Sequence, residues 1–163
     1  MRYFRKITLL LLLTCGALAC RKESERSPCL EPKSVAIRVR ASQKVDTNII
    51  DTTLRSPVLV PIGGSGALRY TSPSATLQFF PAPTTDSCQY ALFTDSVATL
   101  ADTLSFGYRR ELRYISDACG YGYNFTLLSA GATSHFIDSV RIRNTDVTND
   151  VNSPAHVQIY LRR

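Results

Sequence analysis

Residues 104–127 read LSFGYRRELRYISDACGYGYNFTL, and hydrophobic alternation is visible at both ends of this stretch. From residue 104 to 109, apolar or aromatic residues alternate with small or polar ones, and the same period of two returns over residues 121–127. A period of two is that of a β-strand with one buried face. The stretch therefore predicts two strands, with a turn or a bulge near Arg110 and Glu111.

The same alternation recurs along most of the chain. Val35, Ile37 and Val39 form an inward-facing set, and the run SPVLVPI at 56–62, with prolines near both ends, indicates an edge or bulged strand. Further strand patterns occupy residues 75–80, 89–94, 140–143 and 157–162. No segment of helical length is amphipathic with a helical period. The sequence thus predicts an all-β fold, an antiparallel β-sandwich of about eight short strands after an N-terminal signal segment.

The N-terminus has the pattern of an export signal. Arg2, Arg5 and Lys6 precede the run Ile7–Ala19, which is apolar apart from two threonines. This run is shorter than the ~20 residues that a membrane-spanning helix needs, and it fits a cleaved signal peptide. The predicted division is a lipoprotein signal peptide at 1–19, a lipidated cysteine and polar tether at 20–33, and a β-sandwich domain at 34–163.

The end of the apolar run indicates lipid attachment. Ala17, Leu18, Ala19 and Cys20 resemble a bacterial lipobox, and the resemblance implies that the thiol of Cys20 carries a diacylglycerol. Cys15 is the alternative, but cleavage there would leave apolar residues exposed. Bacterial lipoproteins usually carry three acyl chains, and stable anchoring needs at least two. We therefore expect a lipid-anchored protein of the outer membrane, with periplasmic and cell-surface orientations both open.

The basic charge of the chain does not indicate a nucleic-acid partner. The net charge is +6, but the predicted signal peptide holds three cations and no acid. The remaining arginines are scattered, and several alternate with apolar residues, as Arg38, Arg40, Arg141 and Arg143 do. This arrangement is typical of strands with one solvated face rather than of a nucleic-acid-binding patch.

Three cysteines remain after lipidation, Cys29, Cys88 and Cys119. In an exported protein they predict one disulfide and one leftover thiol, and their spacing leaves all three pairings open. The two histidines, His135 and His156, have no cysteine nearby and no partner four residues away. No metal site and no cofactor are therefore predicted.

A family resemblance rests mainly on the segment Ser116-x-x-Cys119-Gly120-Tyr121. With Tyr108 and Ile115 before it, this segment resembles a family of small Bacteroidota lipoproteins of unknown function (domain-of-unknown-function family 6452). The closing AHVQIYL at 155–161 is similar to the last strand of that family, and CLEPKSVAIRV at 29–39 and DTTLRSPVLVPI at 51–62 are similar to its early segments. The resemblance implies a lipid-anchored β-domain with a disulfide between Cys29 and Cys119. The resemblance implies no activity for this chain, and the family has no counterpart of Cys88.

Four tripeptides resemble the Bacteroidota O-glycosylation pattern, in which Asp is followed by Ser or Thr and then by Thr or an apolar residue. The candidate acceptors are Thr52, Ser96, Thr103 and Ser139.

The residues do not form a recognisable catalytic motif. Glu111 is the only glutamate after residue 32, so paired acids for glycoside hydrolysis would have to be aspartates. The sequence therefore predicts a non-enzymatic envelope lipoprotein that binds a protein or glycan partner or supports an assembly. Its strand tyrosines either pack in the core or form an exposed binding row. The alternative is a carbohydrate-active or hydrolytic enzyme on a sandwich scaffold.

Overall fold

The structure is a computed structural model, and it describes residues 28–150 and 152–162. Over these residues the chain forms β-strands and no helix, which confirms the predicted all-β class. The strands are β1 (Ile37–Val45), β2 (Asn48–Asp51), β3 (Val58–Pro61), β4 (Leu68–Arg69), β5 (Thr76–Phe79), β6 (Ser87–Phe93), β7 (Asp102–Ser116), β8 (Gly120–Ala132), β9 (Ile137–Ile142), β10 (Asp146–Val147) and β11 (Val157–Leu161). The predicted signal peptide, Cys15 and Cys20 lie outside the described residues.

The strands form two sheets. The five-stranded sheet has the order β2-β1-β11-β9, and β5 pairs with the first half of β1 on the edge that β2 also uses. The six-stranded sheet has the order β10-β8-β7-β6-β3-β4. All pairs are antiparallel except β1 with β11, which is parallel. The two sheets are therefore largely antiparallel, as the sequence predicted, and the one parallel pair joins the first and the last of the described strands.

The core lies between the two sheets. It is filled by the residues that the alternation in the sequence predicts to face inward. Ile37 and Val39 from the five-stranded sheet are fully buried, as is Leu104 from the six-stranded sheet, and Phe106 is almost so. Phe79 of β5 packs against Phe106 of β7, with ring centroids 5.2 Å apart, so the sheets meet face to face. Burial of these side chains is the main stabilising contribution to the sandwich.

Three expectations about the strands need correction. The described residues contain eleven strands instead of about eight, and β7 and β8 are 15 and 13 residues long rather than short. Arg110 and Glu111 are not in a turn, because β7 pairs with β8 through both positions, opposite Phe125 and Asn124. The irregularities of this hairpin lie on either side, between Gly107 and Tyr108 and between Tyr114 and Ser116.

The run at 56–62 forms β3, which is not an edge strand. It pairs with β6 along its full length and with the two-residue β4 on its other side. Because β4 has only two residues, its pairing covers Val58 and Leu59 but not Pro61, which suits a residue that has no N–H to donate.

Candidate functional site

The disulfide between Cys29 and Cys119 is present, as the family resemblance implied. The two Cα atoms are 4.8 Å apart, although 90 residues separate the cysteines in sequence. Cys119 lies in the turn at 117–119 that joins β7 to β8, which we call the hairpin tip. The bond therefore fixes the start of the described chain to the hairpin tip.

Cys88 is a free, half-buried thiol on β6. Burial raises the pKa of the Cys88 thiol to about 11, and a hydrogen bond with Tyr108 only partly opposes this effect. The thiol is consequently protonated near neutral pH, a state in which it is neither a good nucleophile nor a metal ligand.

The predicted glycosylation acceptors lie in four separate parts of the fold. Ser96, in the loop after β6, and Ser139, on β9, are exposed, whereas Thr52 and Thr103 are partly buried. Thr103 lies within β7, which has strands on both sides.

The two histidines have different surroundings. His135 is exposed, whereas His156 is fully buried and its Nδ1 accepts a hydrogen bond of 2.9 Å from the backbone N–H of Arg38. Burial lowers the pKa of His156 to about 4, and the positive charge of Arg38 acts in the same direction. Within the described ranges, no group of three or more His, Cys, Asp and Glu side chains is arranged to hold a metal ion.

Strand pairing gathers basic side chains on the outer face of the five-stranded sheet. On β1, Arg40 lies between the core residues Val39 and Ala41, and both Arg40 and Lys44 are exposed. Gln158 of β11 pairs with Arg40, and Arg141 of β9 pairs with Gln158. Directly paired residues point to the same side of a sheet, so three neighbouring strands present their polar side chains to one surface.

These strands enclose an open groove of about 830 Å³, which we call the basic groove. It is lined by Lys44, Ile49, Asp138, Ser139, Val140, Arg141, Tyr160, Leu161 and Arg162. Lys44, Arg141 and Arg162 are exposed and take part in none of the ion pairs within the described ranges. Among the described residues that line the groove, Asp138 is the one acid against three cations, so the groove carries a net positive charge. A neighbouring groove of about 240 Å³, which includes Arg40 and Arg143, continues along the same face.

A chain of hydrogen bonds fixes the floor between the two grooves. Tyr160 Oη donates to Gln158 Oε1 at 3.0 Å, and Gln158 Nε2 donates to Ser42 Oγ at 2.9 Å. Ser42 Oγ lies 3.4 Å from Asp51 Oδ1, and the other oxygen of Asp51 pairs with Arg40 at 3.3 Å. Ser42 is fully buried although it points away from the core, because these side chains cover it. The tyrosine and amide are therefore held in place before any ligand binds.

This arrangement suits the binding of anionic groups. Guanidinium and ammonium groups bind carboxylate, sulfate and phosphate through charge-assisted hydrogen bonds. A fixed tyrosine ring beside them offers an apolar face for a sugar or an aliphatic group. The sequence indicated that each arginine faces solvent but not that they share a surface, because that depends on which strands are neighbours.

Fold and surface together define a class: a small all-β sandwich domain with a basic outer face and a disulfide-linked hairpin. Within that class, the chain belongs to a family of unknown function (DUF6452), which matches residues 67–161. The match runs from β4 to the end of β11 and includes Cys119, whereas Cys29 lies before it. No curated protein and no solved structure matches the chain. None of the described residues belongs to a helix capable of spanning a membrane.

Proposed function

We propose that this chain is a lipid-anchored envelope lipoprotein of Bacteroidota whose sandwich domain is a non-enzymatic binding module for an acidic glycan. The basic groove is the observation that carries the proposal. Lys44, Arg141 and Arg162 would pair with the carboxylate or sulfate groups of such a glycan, and Tyr160 would contact its sugar rings.

The ligand is tested with dextran sulfate, an anionic polysaccharide, and with uncharged dextran as its neutral counterpart. We expect the full chain to bind dextran sulfate in isothermal titration calorimetry and not to bind dextran, with affinity that falls as salt rises. The double variant Lys44→Gln/Arg141→Gln should weaken binding about tenfold.

A matched double variant separates the groove from net charge alone. Arg55 and Arg109 are exposed and do not line the basic groove, so Arg55→Gln/Arg109→Gln removes the same charge elsewhere. If both double variants lose the same affinity, binding is nonspecific and the proposed site is wrong. If an acidic protein binds in the groove and dextran sulfate does not, the glycan assignment is wrong.

Lipid anchoring is tested separately by metabolic labelling with an alkyne fatty acid. Cys20→Ala should abolish labelling and release the protein from membranes, whereas Cys15→Ala should leave labelling intact. If only the Cys15 variant loses its labelling, the lipid is attached to Cys15 instead of Cys20. Digestion by protease on intact and on lysed cells then distinguishes the cell-surface orientation from the periplasmic one.

The enzyme alternative has less support. Glycoside hydrolysis needs two carboxyl groups on opposite sides of the scissile bond, ~5 to 9 Å apart. Among the described residues that line the basic groove, Asp138 is the one carboxylate. No observation in this groove favours a hydrolytic role, and we do not propose one.

A further inference from the structure

The β7–β8 hairpin extends beyond the core and exposes apolar side chains near its tip. Tyr108 and Phe125, whose ring centroids are 5.1 Å apart, are the last aromatic pair of the hairpin that is buried in the core. On the same side but nearer the tip, Leu112, Tyr114 and Tyr121 are 62%, 52% and 63% exposed. We call these three residues the hairpin patch.

The residues of the hairpin patch form one continuous surface. Tyr114 and Tyr121 are directly paired across the hairpin, and their ring centroids lie 5.4 Å apart. Leu112 is two residues before Tyr114 on β7, so both side chains point to the same side of the strand. No strand of the five-stranded sheet covers this part of the hairpin.

The N-terminal part of the described chain is held at the same end of the hairpin. Cys29 is bonded to Cys119 in the hairpin tip, and Glu31 pairs with Arg113 of β7 at 3.1 Å. On β8, a Cβ at Gly122 would lie 3.1 Å from the carbonyl oxygen of Lys33, which shows how closely the segment approaches the strand. Cys29, next to the first described residue, is therefore held at the hairpin tip.

The length of the chain between Cys20 and Cys29 limits how far the hairpin tip can lie from a lipid on Cys20. Nine peptide units join Cys20 to Cys29, and a fully extended chain of that length spans at most ~32 Å. The opposite end of β7, near the exposed Val97, lies ~45 Å from the tip, because β7 has 15 residues. A lipid on Cys20 thus limits the distance of the hairpin tip from the membrane surface to ~32 Å, a closer limit than it sets for the opposite end of β7.

We propose that the hairpin patch contacts the lipid–water interface of the membrane that holds the anchor. Tyrosine is favoured at such interfaces, because its ring is apolar and its hydroxyl remains hydrated. Leu112 adds apolar area beside the two rings. This inference rests on the lipid anchor of the proposed function and adds an orientation, with the hairpin tip on the bilayer and the β6–β7 loop pointing away.

The contact is tested with two single-tryptophan variants, since the chain has no natural tryptophan. Tyr121→Trp reports on the hairpin patch, and Val97→Trp, at an exposed position near the far end of β7, is the matched control. Each full-length lipidated variant is reconstituted into vesicles of phosphatidylethanolamine and phosphatidylglycerol, with and without a dibrominated phosphatidylcholine that quenches nearby tryptophan. Flotation of the vesicles shows separately whether the protein is bound.

We expect both variants to float, the emission of the Tyr121→Trp variant to fall by about half in brominated vesicles, and that of the Val97→Trp variant to stay unchanged. Flotation without quenching at position 121, or with equal quenching at both positions, overturns the orientation and leaves the lipid anchor standing. Failure of both variants to float overturns the anchor and the orientation together.

Discussion

The carboxylate of Asp102, the first residue of β7, accepts a hydrogen bond of 2.8 Å from the backbone N–H of Ile137, the first residue of β9. These two strands belong to different sheets, so one fully buried acid connects the two layers. The same carboxylate accepts hydrogen bonds from the N–H groups of His135 and Phe136 and from the Thr133 hydroxyl. Burial alone would raise the pKa of Asp102, but these donors outweigh it and lower the pKa, so the group is ionised in the fold.

We predict that Asp102→Asn destabilises the domain by about 3 kcal/mol, because the amide carries no charge and places an NH₂ group among donors. Chemical denaturation measured by circular dichroism gives this value. Asp138→Asn, at an exposed position on β9, is the control and should change the free energy of unfolding by less than about 0.5 kcal/mol. Equal effects of the two variants would show that the buried carboxylate does not stabilise the sandwich.

The disulfide should contribute strongly to stability, because it closes a loop of 90 residues. Replacing Cys29 and Cys119 together by serine is expected to lower the free energy of unfolding by about 4 kcal/mol, since the unfolded chain gains freedom. Cys88→Ser removes a cysteine that forms no disulfide and should cost less than about 1 kcal/mol. A loss in the double variant no larger than that of Cys88→Ser would contradict the prediction.

The buried faces of the strands were predictable from local sequence, but their pairing was not. Ile37, Val39 and Phe106 alternate with polar or small residues, and this pattern alone placed them in the core, where they lie. The parallel pairing of β1 with β11 joins residues more than a hundred positions apart, and no local pattern encodes such a contact. Arg110 and Glu111 interrupt the visible alternation and predict a turn or a bulge, yet the long pairing with β8 keeps them in a strand.

The candidate site was harder to predict than the fold for the same reason. Alternation showed that Arg40 and Arg141 face solvent, but their common surface depends on β11 lying between β1 and β9. The hairpin patch has a similar origin, because Tyr114 and Tyr121 have the same strand pattern as the buried Tyr108. Only the limited length of the facing sheet leaves them exposed.

We predict that Ser96 is the glycosylated residue among the four candidates. Its side chain is exposed in a loop, whereas the motif of Thr103 includes the buried Asp102, and a glycan on Ser139 would obstruct the basic groove. Intact-mass measurement should show a glycan that Ser96→Ala removes and Thr103→Ala retains. A mass equal to the acylated chain alone would contradict glycosylation at any of the four sites.

His156 should make the domain sensitive to mild acid. Its pKa is lowered from its ordinary value of 6.5 to about 4. Burial is the largest cause, the charge of Arg38 acts in the same direction, and Asp146 acts in the opposite direction. Between these two pH values the unfolded chain binds a proton that the folded chain does not. The stabilising contribution of neutral His156 is therefore complete above about pH 6.5 and is lost as the pH falls towards 4, by about 3 kcal/mol.

Urea unfolding at several pH values between 4 and 6.5 gives the free energy of unfolding as a function of pH, and its slope measures the effect of His156. His156→Asn keeps an acceptor for the N–H of Arg38 but cannot titrate, so its slope should be flatter than that of the unsubstituted chain. His135→Asn, at an exposed position, is the control and should retain the original slope. An unchanged slope in the His156 variant would show that other groups cause the acid sensitivity, because His156 would then bind the same number of protons in the folded and the unfolded chain.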